Sequence, residues 1–199
     1  MKLIIAATLL CLGLLASPAQ ERLSREEALK HACVLSVDLK ELLKTPIPSD
    51  PDIKYPVALR QDDHGGMVLP EAKLSAQTFA SAGEEVKSVG QLWLVNLVPV
   101  RDGQAVPSDR QRLVHVRVGE QEADAACCAL GVSKKAGSGL ELLLYGKDKD
   151  PLIRVPLKPI SRQQDNPIEM SCELKDDGGV VTLSFLGKYE GTFKLTQPQ

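Results

Sequence analysis

The stretch Gly90–Val118 sets the terms for the rest of this chain. It reads GQLWLVNLVPV, RDG, QAVPSDRQ and RLVHVRV: two long apolar or alternating runs with turn chemistry between them. In an extended strand Leu92, Leu94, Asn96, Val98 and Val100 share one face, and Trp93, Val95 and Leu97 share the other. A strand that is apolar on both faces is covered on both sides, so this run is expected at the centre of a sheet. It also carries the only tryptophan of the chain. Arg101-Asp102-Gly103 offers a turn, with the glycine free to take a positive φ. The second run alternates more cleanly, with Leu113, His115 and Arg117 on one side and Val114, Val116 and Val118 on the other. That is the pattern of a half-buried antiparallel strand with one wet face. The two runs are read as a pair in the middle of a β-sheet domain.

The first nineteen residues are set aside before any fold reasoning. Met1-Lys2 supplies a short positive region, Leu3 to Leu15 an apolar run, and Ser17-Pro18-Ala19 a small-residue cleavage site. Together they predict a secretory signal peptide over residues 1–19, cleaved before Gln20. The alternative, a membrane anchor, needs about 20 apolar residues, more than this run supplies. A lipid anchor at Cys11 is disfavoured because Leu10 stands where that signal has a small residue. The expectation is a chain released to the periplasm or the extracellular space, with no stable membrane insertion after cleavage.

What remains is one domain's worth of chain, enough to bury roughly 70% of the surface of its unfolded form. Loss of Lys2 moves the formal charge from −2 to −3. A nearly neutral balance with no strongly basic stretch argues against nucleic acid and anionic membranes as partners. Aromatic residues make up only 4%, which weakens a carbohydrate-binding reading built on stacked rings and leaves leucine and valine to form the core.

Residues 20–56 are expected to form an amphipathic helix and a proline-rich loop, and residues 57–199 a β-sandwich-like domain. The helix is predicted over Ser24 to Lys44, opened by the capping box Ser24/Glu27 and ended by Thr45-Pro46. Ala28, Leu29, Ala32, Leu35, Leu39, Leu42 and Leu43 recur on one face. Val57–Arg60 and Met67–Leu69 flank a loop, Gln61 to Gly66, and so predict a first hairpin; Ser75 to Ala82 reads as a short helix ended by Gly83. Gln121 to Gly139 carries a weaker signal. Strands are then predicted at Leu140–Tyr145, Ile168–Leu174, Val180–Leu186 and Gly191–Thr196, with an extended segment at Leu152–Ile160. Pro156 and Pro159 place that segment at an edge, because proline donates no ladder hydrogen bond. About eight or nine short strands separated by turns predict an antiparallel β-sandwich or an open barrel preceded by one helix.

Few residues carry chemistry. Cys33, Cys127, Cys128 and Cys172 survive signal removal, and an even number in an exported chain makes them disulfide candidates. A bond between the adjacent Cys127 and Cys128 requires a strained ring, so pairing of either with Cys33 or Cys172 is the preferred expectation. Asp62-Asp63-His64 has the most reactive composition: two carboxylates beside an imidazole suit a divalent cation or general acid–base work, although Asp and Gly also simply build tight turns. No zinc or copper spacing, cofactor motif or nucleophile elbow is present, so no metal site, cofactor or catalytic residue is assigned. His31 is read as a helix-surface residue, His115 as a strand residue on the wetter face. The acidic pairs at Glu84-Glu85, Asp148 with Asp150, and Asp176-Asp177 are read as solvated loops.

Three functions are therefore weighed. The first is an exported non-enzymatic domain that binds a protein or cell-surface component, through a sheet face or the edge near Leu152–Ile160. The second is an exported hydrolase or metal-dependent enzyme using Asp62, Asp63 and His64. The third is a thiol- or metal-handling protein centred on Cys127-Cys128.

Overall fold

The computed structural model describes residues 20–35, 45–118, 121–134, 139–175 and 178–198. In chain order the elements begin with β1 (Glu21–Arg22), α1 (Arg25–Cys33), β2 (Val57–Gln61), β3 (His64–Pro70), α2 (Ala76–Ala80) and β4 (Lys87–Val95). They continue with β5 (Val98–Arg101), β6 (Gln104–Ala105), β7 (Arg112–Val118), β8 (Gln121–Lys134), β9 (Leu140–Tyr145) and β10 (Ile153–Pro156). The last four are β11 (Lys158–Pro159), β12 (Ile168–Lys175), β13 (Gly178–Phe185) and β14 (Tyr189–Thr196). All pairings are antiparallel, and they form two sheets.

The first sheet is organised on β8, the longest strand, where the sequence signal was weakest. One edge of β8 pairs with β4, from Val95↔Ala125 to Lys87↔Val132. Its other edge is divided between β7, which pairs with its first half, and β9, which pairs with its second. Beyond β4 lie β3, β2 and β1, and beyond β9 lies β10. The second sheet runs β12-β13-β14-β5-β6, with β11 also paired to β14.

Between the sheets lies the main core. Leu92, Leu94, Cys128, Leu130, Leu142 and Leu144 of the first sheet are buried with Ile168, Met170, Val181, Leu183, Phe185 and Phe193 of the second. Phe79 of α2 closes one part of it, with ring centroids 5.0 Å from Tyr189 and 5.7 Å from Phe185. A second core covers the outer face of the first sheet. There Ala58, Met67, Leu69, Trp93, Ala125 and Cys127 are buried with Ala28 and Ala32 of α1 and with Leu35. The protein is thus a sandwich with a short helix laid on one outer face. Beneath it the Trp93 indole donates to Gln91 (3.2 Å), and the Gln91 amide donates to Ser49 (3.3 Å).

Several expectations are corrected in detail. The run from Gly90 to Val100 is not one strand. It breaks at Asn96, whose φ of +56° turns the chain from the first sheet into the second, so that β4 and β5 belong to different layers. Asparagine tolerates that left-handed conformation better than its apolar neighbours. Nor does β7 lie beside β4, because β8 separates them. The loop between β2 and β3 narrows to Asp62-Asp63, with Gln61 opposite His64. The helix has the expected capping box, with Glu27 N–H donating to the Ser24 hydroxyl and Ser24 N–H to the Glu27 carboxylate. Residues 36–44 of its predicted span lie outside the described residues. The segment before residue 57 is tied into the sheet by β1, which pairs with β2, and by an ion pair from Arg22 to Glu169 (2.9 Å) on β12. As expected, β10 is an edge strand.

Gly90 marks a bulge where β4 shifts register against β8, and its φ is +151°. A Cβ there runs into the Leu69 carbonyl and reaches within 3.2 Å of Ile168 Cδ1. Gly103 also has a positive φ, +83°, but open space around it. In urea denaturation Gly90→Ala is therefore expected to cost about 2 kcal/mol or more, and Gly103→Ala about 1 kcal/mol. Equal losses count against the steric account of Gly90.

Candidate functional site

Two chain reversals, the β2–β3 turn and the β4–β5 corner, meet the paired strands β7 and β8 at one end of the first sheet. Between them and α1 lies a cleft of about 520 Å³. Its floor is apolar, formed by Ala58, Met67, Trp93, Val95, Val116, Ala123 and Ala125. His31 and Leu35 bound it on the helix side, and Arg60, Asp62, Asp63, His64, Asn96 and Glu122 form a polar rim. The floor follows from strand alternation: the neighbours of Ala58 and Trp93 enter the sandwich, whereas those of Val116 and Ala123 emerge exposed on the opposite face.

The rim is held by a small hydrogen-bond network. Asp62 takes a φ of +53°, which brings Asp63 back against His64. The Asp63 carboxylate lies 2.8 Å from His64 Nδ1, and the Asn96 side chain donates to the Asp63 carbonyl (2.8 Å). His64 Nε2 stands 3.2 Å from the Gln197 amide nitrogen. This arrangement suits the tautomer in which Nδ1–H donates to Asp63 and Nε2 accepts from Gln197. The lone pair needed for general-base work is thereby engaged by an amide. Asp63 and His64 do come together as their composition suggested, but the described residues bring no third ligand: no group of three His, Cys, Asp or Glu among them is arranged to hold a metal ion.

His31 is half-buried rather than a simple surface residue. Burial pushes its pKa below the ordinary value of 6.5, and the nearby Arg60 charge pushes the same way, against a smaller opposing effect of Glu27. A neutral imidazole is thus presented to the cleft. Sequence reasoning missed Asn96, Glu122 and Gln197 as members of this site. A polar residue inside the apolar run was the available signal for Asn96; nothing local marks Gln197. His115 lies on the opposite face of the sheet, exposed, 3.0 Å from Asp124 and 3.6 Å from Glu122.

The cysteines correct the disulfide expectation. All four are free thiols. Cys127 and Cys128 are consecutive on a regular strand, so their side chains point to opposite faces: Cys127 to the helix layer and Cys128 into the sandwich. They cannot act jointly on one ligand. Burial raises both pKa values, to about 12 for Cys128, and keeps these thiols protonated at neutral pH. Cys33 is exposed at the end of α1, and Cys172 is half-buried on β12.

With this geometry established, comparison with known proteins finds no matching family model, curated protein or solved structure.

Two measurements follow. Cys33 should react with a maleimide in the native protein, and Cys127 and Cys128 only on denaturation; native labelling of the pair overturns their burial. For His31, the unfolded chain takes up the proton first as pH falls, because the folded pKa is the lower one. Stability linked to His31 is full above about 6.5 and lost as pH drops through the folded pKa. The stability difference between wild type and His31→Gln should be flat above that pH and shift in the variant's favour below it. A difference flat throughout sinks the assignment.

Proposed function

We propose that this protein is an exported, non-enzymatic binding module, released to the periplasm or the extracellular space. Its cleft receives a protein segment or surface component that presents an apolar group beside a hydrogen-bonding one. The observation that carries this reading is the union of an apolar floor with a polar rim built from the β2–β3 turn, the β4–β5 corner and neighbouring strand residues. A volume of about 520 Å³ lies within the size range of binding clefts, and few convergent polar groups over an apolar floor are their usual chemistry. The hydrolase reading draws on the Asp63–His64 contact. It is the weaker one, since Gln197 occupies the imidazole and the described lining contains no Ser, Thr or Cys to serve as nucleophile.

Ala123 is part of the floor and only half-buried, so a tryptophan there fills the cleft from an accessible strand position. Immobilised wild-type protein should retain a reproducible component of its own exported fraction. Ala123→Trp, folded to the same melting behaviour, should lose at least about tenfold of that retention, a change of about 1.4 kcal/mol. Equal recovery by both proteins removes the cleft from the function, and loss of an ester-hydrolysing activity in His64→Ala would favour the hydrolase instead.

A further inference from the structure

Along one edge of β14 the second sheet has a gap. There β11 pairs with β14 at Tyr189 and Glu190, and β5 pairs with it at Leu195 and Thr196. Between them, at residues 191–194, no described strand pairs with that edge. The other edge is complete, since its register with β13 runs unbroken from Tyr189 to Thr196. Both neighbours turn away because they have partners elsewhere. Just before β11 the chain still belongs to the first sheet, where Pro156 of β10 stands opposite Glu141. On the other side β5 departs to pair with β6, Val100 opposite Ala105.

The gap exposes backbone. In an antiparallel ladder, residues alternate between those whose N–H and C=O face one neighbour and those that face the other. The Ile160 N–H donates to the Lys188 carbonyl (2.8 Å) across the β11 side. Every second residue from Lys188 therefore faces that edge, and Thr192 and Lys194 direct their N–H and C=O groups into the gap. These two residues also line a groove of about 340 Å³. Its apolar wall is formed by Val100, Ile153, Val155 and Phe193. Its charge has one sign: Arg154 and Lys194 line it, and no described lining residue carries a carboxylate. Arg154 stands 3.7 Å from Glu141, and no ion pair of Lys194 is found among the described residues.

We propose that this groove docks an extended acidic segment of a partner protein, which adds a short strand to β14 between β5 and β11. Only another extended backbone offers donors and acceptors at the spacing of alternate strand residues. The gap is about 13 Å long at roughly 3.3 Å per residue, so the added strand has about four residues. Its apolar side chains meet Phe193 and Val155, and its carboxylates meet Arg154 and Lys194. A second copy of β14 fits poorly, because lysine on an exposed edge repels its own like. The groove shares no lining residue with the cleft, so it is a separate interface.

The test uses the full chain and two blocked peptides, one alternating valine with glutamate and the other valine with lysine. The glutamate peptide should slow amide exchange at Thr192 and Lys194 and bind at least about tenfold more tightly than the lysine peptide. Joint Arg154→Glu and Lys194→Glu substitution should invert that preference. Thr192→Pro removes an N–H that faces the gap and not β13, so it should weaken the glutamate peptide while leaving the hairpin paired. Equal affinity for the two peptides, a preference that survives charge reversal, or no binding by either overturns the proposal. So does binding that leaves exchange at Thr192 and Lys194 unchanged. Self-association of the free protein that Thr192→Pro abolishes assigns the groove to a second copy and overturns it as well. If Thr192→Pro does not fold, the charge-reversed protein and the exchange pattern decide alone.

Discussion

The architecture depends on a single strand that is buried on both sides and shared among three partners. β8 contacts β4 on one edge and divides the other between β7 and β9, while its alternate side chains enter two different cores. That duty explains its composition. Ala125, Ala126, Cys127, Cys128 and Ala129 are small, so a helix can approach from one side and a second sheet from the other. At Gly131 even a methyl group collides with Val86 and comes within 3.0 Å of Ile47. Enlarging Ala126 or Cys128 presses on the second sheet, and enlarging Ala125 or Cys127 presses on the helix.

That same composition hid the strand from the sequence. Strand signals rest on branched and aromatic residues, and the middle of β8 has alanine and cysteine instead. The antiparallel β class, the alternation of β7, the cap of α1, the proline-marked edge and the three C-terminal strands were all legible, because each follows from a local rule of period, cap or turn. What was not legible was which strand lies beside which. The division of Gly90–Val100 between two sheets turns on one residue, Asn96, whose backbone conformation is set by the corner and whose side chain is held by the Asp63 carbonyl.

The candidate site shows the same split. Asp63 and His64 were found from composition because they are sequence neighbours. Their surroundings were not, because Gln197, Asn96, His31 and Glu122 arrive from four other parts of the chain. The candidate site is assembled where loops meet: the residues that quieten the imidazole and those that line the apolar floor have no common motif. The paired Cys127 and Cys128 illustrate the converse. Adjacency in sequence suggested a joint role, and the pleat of the strand places the two thiols in separate cores.

The second sheet also has a bearing on how the chain folds. Val98 and Pro99 of β5 find their partners in Thr196 and Leu195 of β14, and β1 is fastened to β12 through Arg22 and Glu169. Neither contact exists until residues far along the chain have emerged from the ribosome. Pairings of such long sequence separation form slowly, because loop closure must precede any reward. The sandwich therefore closes late: its first and last strands are fastened only when the whole chain is available, and partial chains lack the contacts that join the two layers.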